Sequence, residues 1–361
     1  MFPKPINPNK EKEKQPRPME KKPNKPKKNN IGGTIRMTYT LEEALHDDES
    51  IRLFGIKFVE NNKDKCKMII RGKEYEIKDI IKKTELKDYG IKAEEKELEV
   101  ILKGDGITDM SNMFCDCKSL IKLDVSSFDT ENVTSMEWMF KSCTSLINLD
   151  LSSFDTQNVL WMKGMFCCCT NLVKLDVSSF DTQNVTRMGA MFFGCKSLVK
   201  LDLSSFDTQN VTSLKNMFRG CKSLVKLDLS SFDTQNVSDI SWMFFGCTNL
   251  VKLDLSSFDT QNVTSMESMF ENCENLVKLD LSSFETQNVT SMENMFYGCK
   301  SLVKLDLSSF DTQNVTSMHW MFSCCKSLVK VIRKNLVKIK TGNEDNLYEP
   351  KLAILEIKVV K

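Results

Sequence analysis

Histidine is nearly missing from this chain: 361 residues contain two, His46 and His319, far apart in sequence. No serine–histidine–aspartate set, glycine-rich phosphate loop or isolated pair of carboxylates stands out, so nothing in the sequence builds a catalytic centre and an enzyme is not expected. There is no run of about 18 apolar residues, which excludes a membrane-spanning helix. The opening stretch, MFPKPINPNKEKEK, has no apolar signal region. The expectation is therefore a cytoplasmic protein, with the cell surface as the alternative. Strong charge of one sign is also lacking, since the net charge is +1. That balance hides a basic start: residues 1–30 hold ten Lys and Arg against three Glu.

What the chain does have is repetition. Phe128, Phe154, Phe180, Phe206, Phe232, Phe258, Phe284 and Phe310 are spaced by 26 residues. Cys117, Cys143, Cys169, Cys195, Cys221, Cys247, Cys273, Cys299 and Cys325 keep the same period. A short fixed period means a solenoid, in which each coil buries its apolar face against its neighbours. Fourteen cysteines would suit a disulfide framework only in a short secreted chain. One per coil at a fixed place suits small buried hydrophobes with reduced thiols.

Four segments follow. Residues 1–33, rich in Pro, Lys and Asn, cannot repay the entropy of folding and read as a disordered tail. Residues 34–105 read as a small α+β capping domain: a capping box from Thr40 to Glu43 before a helix LEEALH, strands at IRLFGIKFV (51–59) and CKMII (66–70), and further strands at EYEI and ELEVILKG (97–104). Residues 106–328 are the repeat. Residues 329–361, with VKVIRKNLVKIK and LAILEIKVVK, read as a closing β cap.

Within a coil, L-x-x-L-D-L alternates like a strand, Leu123 and Val125 inward and Lys122, Asp124 and Ser126 outward. The other half, N-V-T-S-M-x-x-M-F-x-x-C, has helical spacing, with Val133, Met136, Met139, Phe140 and Cys143 on one face. Thr134–Glu137, Thr264–Glu267 and Thr290–Glu293 read as capping boxes, and Gly194, Gly220, Gly246 and Gly298 as residues just past helix ends. The expected fold is an α/β solenoid, a curved stack of about nine strand–helix coils of leucine-rich-repeat type, strands on the concave side because strands pack closer than helices. The unit LVKLDLSSFDTQNVTSMENMFYGC resembles the repeat of the BspA-like leucine-rich repeat proteins of bacterial and protist surfaces. That resemblance covers roughly residues 106–328; it implies binding or adhesion and supplies no catalytic residues.

Polar residues recur as faithfully as apolar ones. Asn132, Asn158, Asn184, Asn210, Asn236, Asn262, Asn288 and Asn314 read as a hydrogen-bonded ladder between turns, as do Thr130 and its equivalents. Glycosylation of the N-x-S/T sites is the rival reading and needs a secretory route. Rows of Lys and Asp on the strand face offset one another, a striped polar surface rather than a nucleic-acid groove. Cys115, Cys117 and Cys167 to Cys169 lack the spacing of a zinc site, and neither metal nor cofactor is expected. The basic stretch within residues 4–28 would suit nucleic acid or acidic lipid, but reads more simply as a solubilising tail. Variation concentrates on the supposed outer helix: Trp138, Trp161, Phe193, Trp242, Phe245, Tyr297 and Trp320 form a candidate ridge for a protein partner. Drift at unconstrained positions is the plain alternative.

Overall fold

The structure, a computed structural model, describes residues 33–42 and 49–332, which belong to one compact unit. The expected tail up to residue 32, the helix LEEALH beyond Glu42 and the closing strands beyond Ile332 lie outside the described residues.

Alternating apolar and polar residues make β1 (Thr34–Thr40) and β6 (Glu97–Gly104), which pair antiparallel with Thr34 opposite Lys103. On the far side of β6 comes β3 (Cys66–Ile70), hairpinned to β4 (Lys73–Glu76). On the far side of β1 comes β7 (Leu120–Asp124), the strand of the first coil. The five-stranded order β4-β3-β6-β1-β7 therefore carries the N-terminal sheet directly into the solenoid and leaves no bare edge at that junction.

The expected strand over 51–59 does not form. Its start is β2 (Ser50–Arg52), paired with β5 (Ile80–Lys82), and its end is a helix, α1 (Ile56–Asn62). The break falls at Gly55. A Cβ there would lie 2.0 Å from the Asn112 carbonyl oxygen, and the Gly55 N–H donates to the Met113 carbonyl at 3.0 Å. The chain must bend where it touches the first half-coil, and only glycine allows that approach. Behind the bend, Phe58 and Asn62 of α1 are buried, and the Asn62 amide donates to the Asp109 carbonyl.

All but one of the following coils contribute a short strand to one wall: β8 (Asn148–Asp150), β9 (Lys174–Asp176), β10 (Lys226–Leu227), β11 (Lys252–Leu253), β12 (Lys278–Leu279), β13 (Lys304–Asp306) and β14 (Lys330–Ile332), while the coil at Lys200–Asp202 runs through the same place without strand pairing. Pairing is parallel and in register, Leu227 beside Leu253 beside Leu279.

The opposite wall corrects the sequence reading: among the described residues no coil contains a helix. A helix bonds within itself, each N–H to the carbonyl four residues back. Here the N–H groups of Met110, Asn112, Phe114 and Asp116 donate to the next coil, to the carbonyls of Ser135, Glu137, Met139 and Lys141, at 2.7–2.9 Å. The intervening N–H groups of Met113, Cys115 and Cys117 close tight turns onto carbonyls three residues back. Two residues per coil, such as Trp138 (φ 57) and Ser142 (φ 60), take left-handed backbone angles that no α-helix accommodates. The supposed capping threonines do other work: the Thr134 hydroxyl donates to the Thr108 carbonyl one coil back, and Thr264 and Thr290 do the same to Ser238 and Thr264.

Helical spacing nonetheless picked the right core. Val133, Met136, Met139, Phe140 and Cys143 have no exposed surface, because successive tight turns bring the same positions inward. The rings of Phe114, Phe140, Phe166, Phe192, Phe218, Phe244, Phe270, Phe296 and Phe322 stack in one column, centroids 5.5–5.7 Å apart. Cysteine is more than a filler beside them: eight thiols, from Cys143 to Cys325, donate to a phenylalanine carbonyl one coil back at 2.9–3.1 Å.

Candidate interaction surface

Most invariant polar side chains bind a neighbouring coil or their own turn. Seven buried threonines, Thr130 to Thr286, each accept an N–H from the next coil and donate to the carbonyl of the same residue, as Thr208 does with Asp233 at 2.9 and 2.7 Å. The asparagines stand outside. Asn158 to Asn314 are exposed, and each amide donates 2.7–2.8 Å to a carbonyl of the preceding coil; Asn132, also exposed, heads the row. From Ser153 to Ser309 the second serine of S-S-F donates backward too, as Ser231 does to the Leu203 carbonyl.

The Asp row is local. Oδ1 of Asp150, Asp202, Asp228, Asp254 and Asp280 accepts the N–H of the serine two residues on at 2.9–3.0 Å, closing an Asx turn. These bonds, the serine N–H first, hold the carboxyls below the usual range.

With the invariant residues so engaged, what can differ between coils is the surface. On the turn wall, the candidate aromatics do not form a uniformly exposed ridge, because the outer helix expected to carry them does not form. Trp138, Phe193, Trp242, Phe245 and Tyr297 are half-buried, while Trp161 and Trp320 are exposed. Trp138, Trp242 and Trp320 occupy left-handed positions. The Trp138 indole packs against Gly164, where a Cβ would come within 2.1 Å of it. The chain's own cations cover several rings: Lys215 sits 4.6 Å from Trp242, Arg187 5.4 Å from Trp161, and Arg219 lies between Phe193 and Phe245 at 5.5 and 4.5 Å.

The strand wall carries a feature the sequence reading missed. Ile147, Val173, Val199, Val225, Val251, Val277, Val303 and Val329 are 38–61% exposed, one per coil, in an unbroken row. The signal was the spacing of L-V-K-L: two inward leucines three apart leave both residues between them outside. Over β7–β9 this wall sinks into a depression of about 820 Å³. Apolar Ile121, Leu123, Ile147, Leu149 and Leu175 line it together with the charged Lys122, Lys174, Asp150, Asp176 and Asp202. Among the described residues no group of three or more His, Cys, Asp or Glu could hold a metal ion. No described helix is long and apolar enough to cross a membrane.

A family model described as "Mycoplasma protein of unknown function, DUF285" matches residues 102–174, 169–252 and 239–349. The chain belongs to the DUF285 family. Each DUF285 match is several coils long, and together they take in every described coil. The narrower BspA-like resemblance is not what this model names. Among solved structures, a leucine rich cell surface protein from Faecalibacterium prausnitzii is similar at 16% identity, over 65% of this chain and 85% of that one, with a TM-score of 0.28. An overlap that low transfers neither that protein's location nor any role to this DUF285 chain. No curated protein matches.

Proposed function

We propose that this DUF285 chain is a non-catalytic scaffold that binds a protein partner through its strand wall. The observation that carries the reading is the row from Ile147 to Val329. An apolar column exposed at every coil is unnecessary for stacking, since Leu149 and its equivalents already fill the inward positions. Contiguous exposed apolar surface rimmed by polar groups is the composition of protein interfaces, and the Lys and Asp beside the row supply that rim. A non-enzymatic role is supported by where the repeated Ser, Thr and Asp go: into coil-to-coil bonds and turns.

The test replaces Val199, Val225 and Val251 together by Ser. Thermal unfolding should change little, and capture of the partner from native cells should weaken about tenfold or more. Full capture by this variant would overturn the strand-wall reading. A second reading places the partner on the turn wall. The exposure of Trp161 and Trp320 favours it, and loss of capture in Trp161→Ala with Trp320→Ala would support it.

For location we infer the cytoplasm, because the eight thiol donors to phenylalanine carbonyls require S–H groups and a reducing compartment keeps them so. Display at the cell surface is the second reading. Antibody access to intact cells against permeabilised cells separates the two. A role for residues 4–28 toward nucleic acid or acidic lipid is tested by deleting them and repeating the capture.

A further inference from the structure

Cys167 and Cys168 break the pattern of the turn wall. The matching places in other coils hold Lys141–Ser142, Arg219–Gly220 or Glu271–Asn272. The two side chains lie against each other, with the Cys167 thiol donating to the Cys168 sulfur at 3.6 Å. Cys167 is nearly buried, whereas Cys168 is half-exposed on a left-handed backbone (φ 60). Gly194 of the next coil lies beside its sulfur and adds no side chain there, an ideal Cβ standing 3.4 Å from Sγ. The bond from Cys167, and then Lys141 and Lys196, draw the Cys168 thiol down to about 6 against desolvation and Asp116. The same bond, with burial, pushes Cys167 up. At half-exposed Cys115 the balance is reversed: burial and Asp116 outweigh Lys141 and Arg52 and push it up to about 12. The half-exposed sulfur is thus the more readily ionised of the two and its sequence neighbour a thiol in contact with it, the arrangement of a reactive cysteine beside a resolving one.

We propose that Cys167–Cys168 is a modification site for hydroperoxides, closing reversibly to a disulfide between the adjacent cysteines. The Cys168 thiolate attacks one peroxide oxygen and the O–O bond breaks, leaving a sulfenic acid on Cys168 and, for hydrogen peroxide, hydroxide that takes a proton to become water. The Cys167 sulfur then attacks the Cys168 sulfur. The S–O bond breaks, and the departing hydroxide takes the Cys167 proton to leave as a second water. Two thiols are oxidised by two electrons and one peroxide is reduced to two waters. Adjacent α-carbons stand about 3.8 Å apart, closer than the roughly 4.4–6.8 Å of ordinary disulfides, so the ring is strained and readily reduced.

The experiment treats the full chain with equimolar hydrogen peroxide, unfolds it, alkylates the remaining thiols and maps the tryptic peptide 164–174, which holds Cys167, Cys168 and Cys169. Untreated protein carries three alkyl groups on that peptide. The proposal expects one after peroxide, on Cys169, with the mass of the other two residues reduced by two hydrogens, and three again after dithiothreitol. Serine stands at the matching places in Ser142 and Ser323, so the single variants keep the fold. Cys167→Ser should stall at a sulfenic acid on Cys168 that dimedone traps, and Cys168→Ser should leave Cys167 unreactive. Three alkyl groups after peroxide, oxidation of Cys168 with Cys167 still alkylated, a disulfide between two chains, or faster oxidation at Cys115 or Cys324 would each overturn it.

Discussion

Thr208 and Asn236 make similar coil-to-coil bonds in different surroundings, and the surroundings set the cost of losing them. Thr208 is fully buried, and its hydroxyl holds both the N–H and the carbonyl of Asp233. Thr208→Val leaves both unpaired away from water and should cost about 1–3 kcal/mol. Asn236 is exposed, so water replaces its bond to the Gln209 carbonyl and Asn236→Ala should cost only about 0.5–1.5 kcal/mol. Denaturant melts showing Asn236 as the costlier loss would reverse the assignment. Gly164 is held by two constraints, a φ of 63 and the Trp138 indole. Gly164→Ala should destabilise by about 2–4 kcal/mol, part from the left-handed backbone and part from overpacking. Adding Trp138→Ala should recover the packing share but not the backbone share, and a double-mutant cycle without coupling would contradict the contact. That polar side chains recur at every coil was legible from the sequence. Which of them are buried was not, because a periodic pattern fixes a side chain's column and says nothing of the depth of that column.

At the scale of elements, the strand wall could be read and the turn wall could not. Alternation in L-D-L specifies strand, and β7–β14 follow it, with Leu201–Leu203 the one described coil where the same pattern forms no strand. In the other half, spacing of three and four residues is common to a helix and to consecutive tight turns, so the apolar pattern could not choose between them. The deciding residues were the columns at 138 and 142, which hold Gly164, Gly194, Gly220, Gly246 and Gly298 beside Asn112, Asn216, Asn272 and Asn294, all at positive φ. Glycine and asparagine four apart in successive coils favour two left-handed positions per coil. Far-UV circular dichroism should accordingly lack a strong helical signal, and a spectrum with helix in every coil would contradict the turn wall. The Asp turns add a pH dependence. Their carboxyls are held below the usual value, so the folded chain favours the charged form. The contribution is present above the unfolded value of about 3.9 and is lost as pH falls through the lower folded values. Asp202→Asn, Asp228→Asn and Asp254→Asn keep an Asx-turn former without a titrating group. The triple variant should lose less stability than the parent between neutral pH and acid, and an unchanged acid slope would show that these turns do not set it.

At the scale of the molecule, the period of 26 residues states how the chain stacks: every coil offers the same donors and acceptors to the next, so any coil can follow any other. This much was plain in the sequence. The join to the N-terminal sheet through β7, and the apolar row on the strand wall, depend on backbone pairing and turn geometry that periodicity does not encode. The most direct test of the stacking is to remove one whole period, residues 206–231, and separately to remove residues 206–225. The first deletion joins Ser205 to Phe232 and restores the repeat across the junction. It should give a folded protein with one cooperative melt. The second puts every donor out of step with its acceptor and should abolish cooperative melting. Equal damage from the two deletions would contradict a solenoid held together coil by coil.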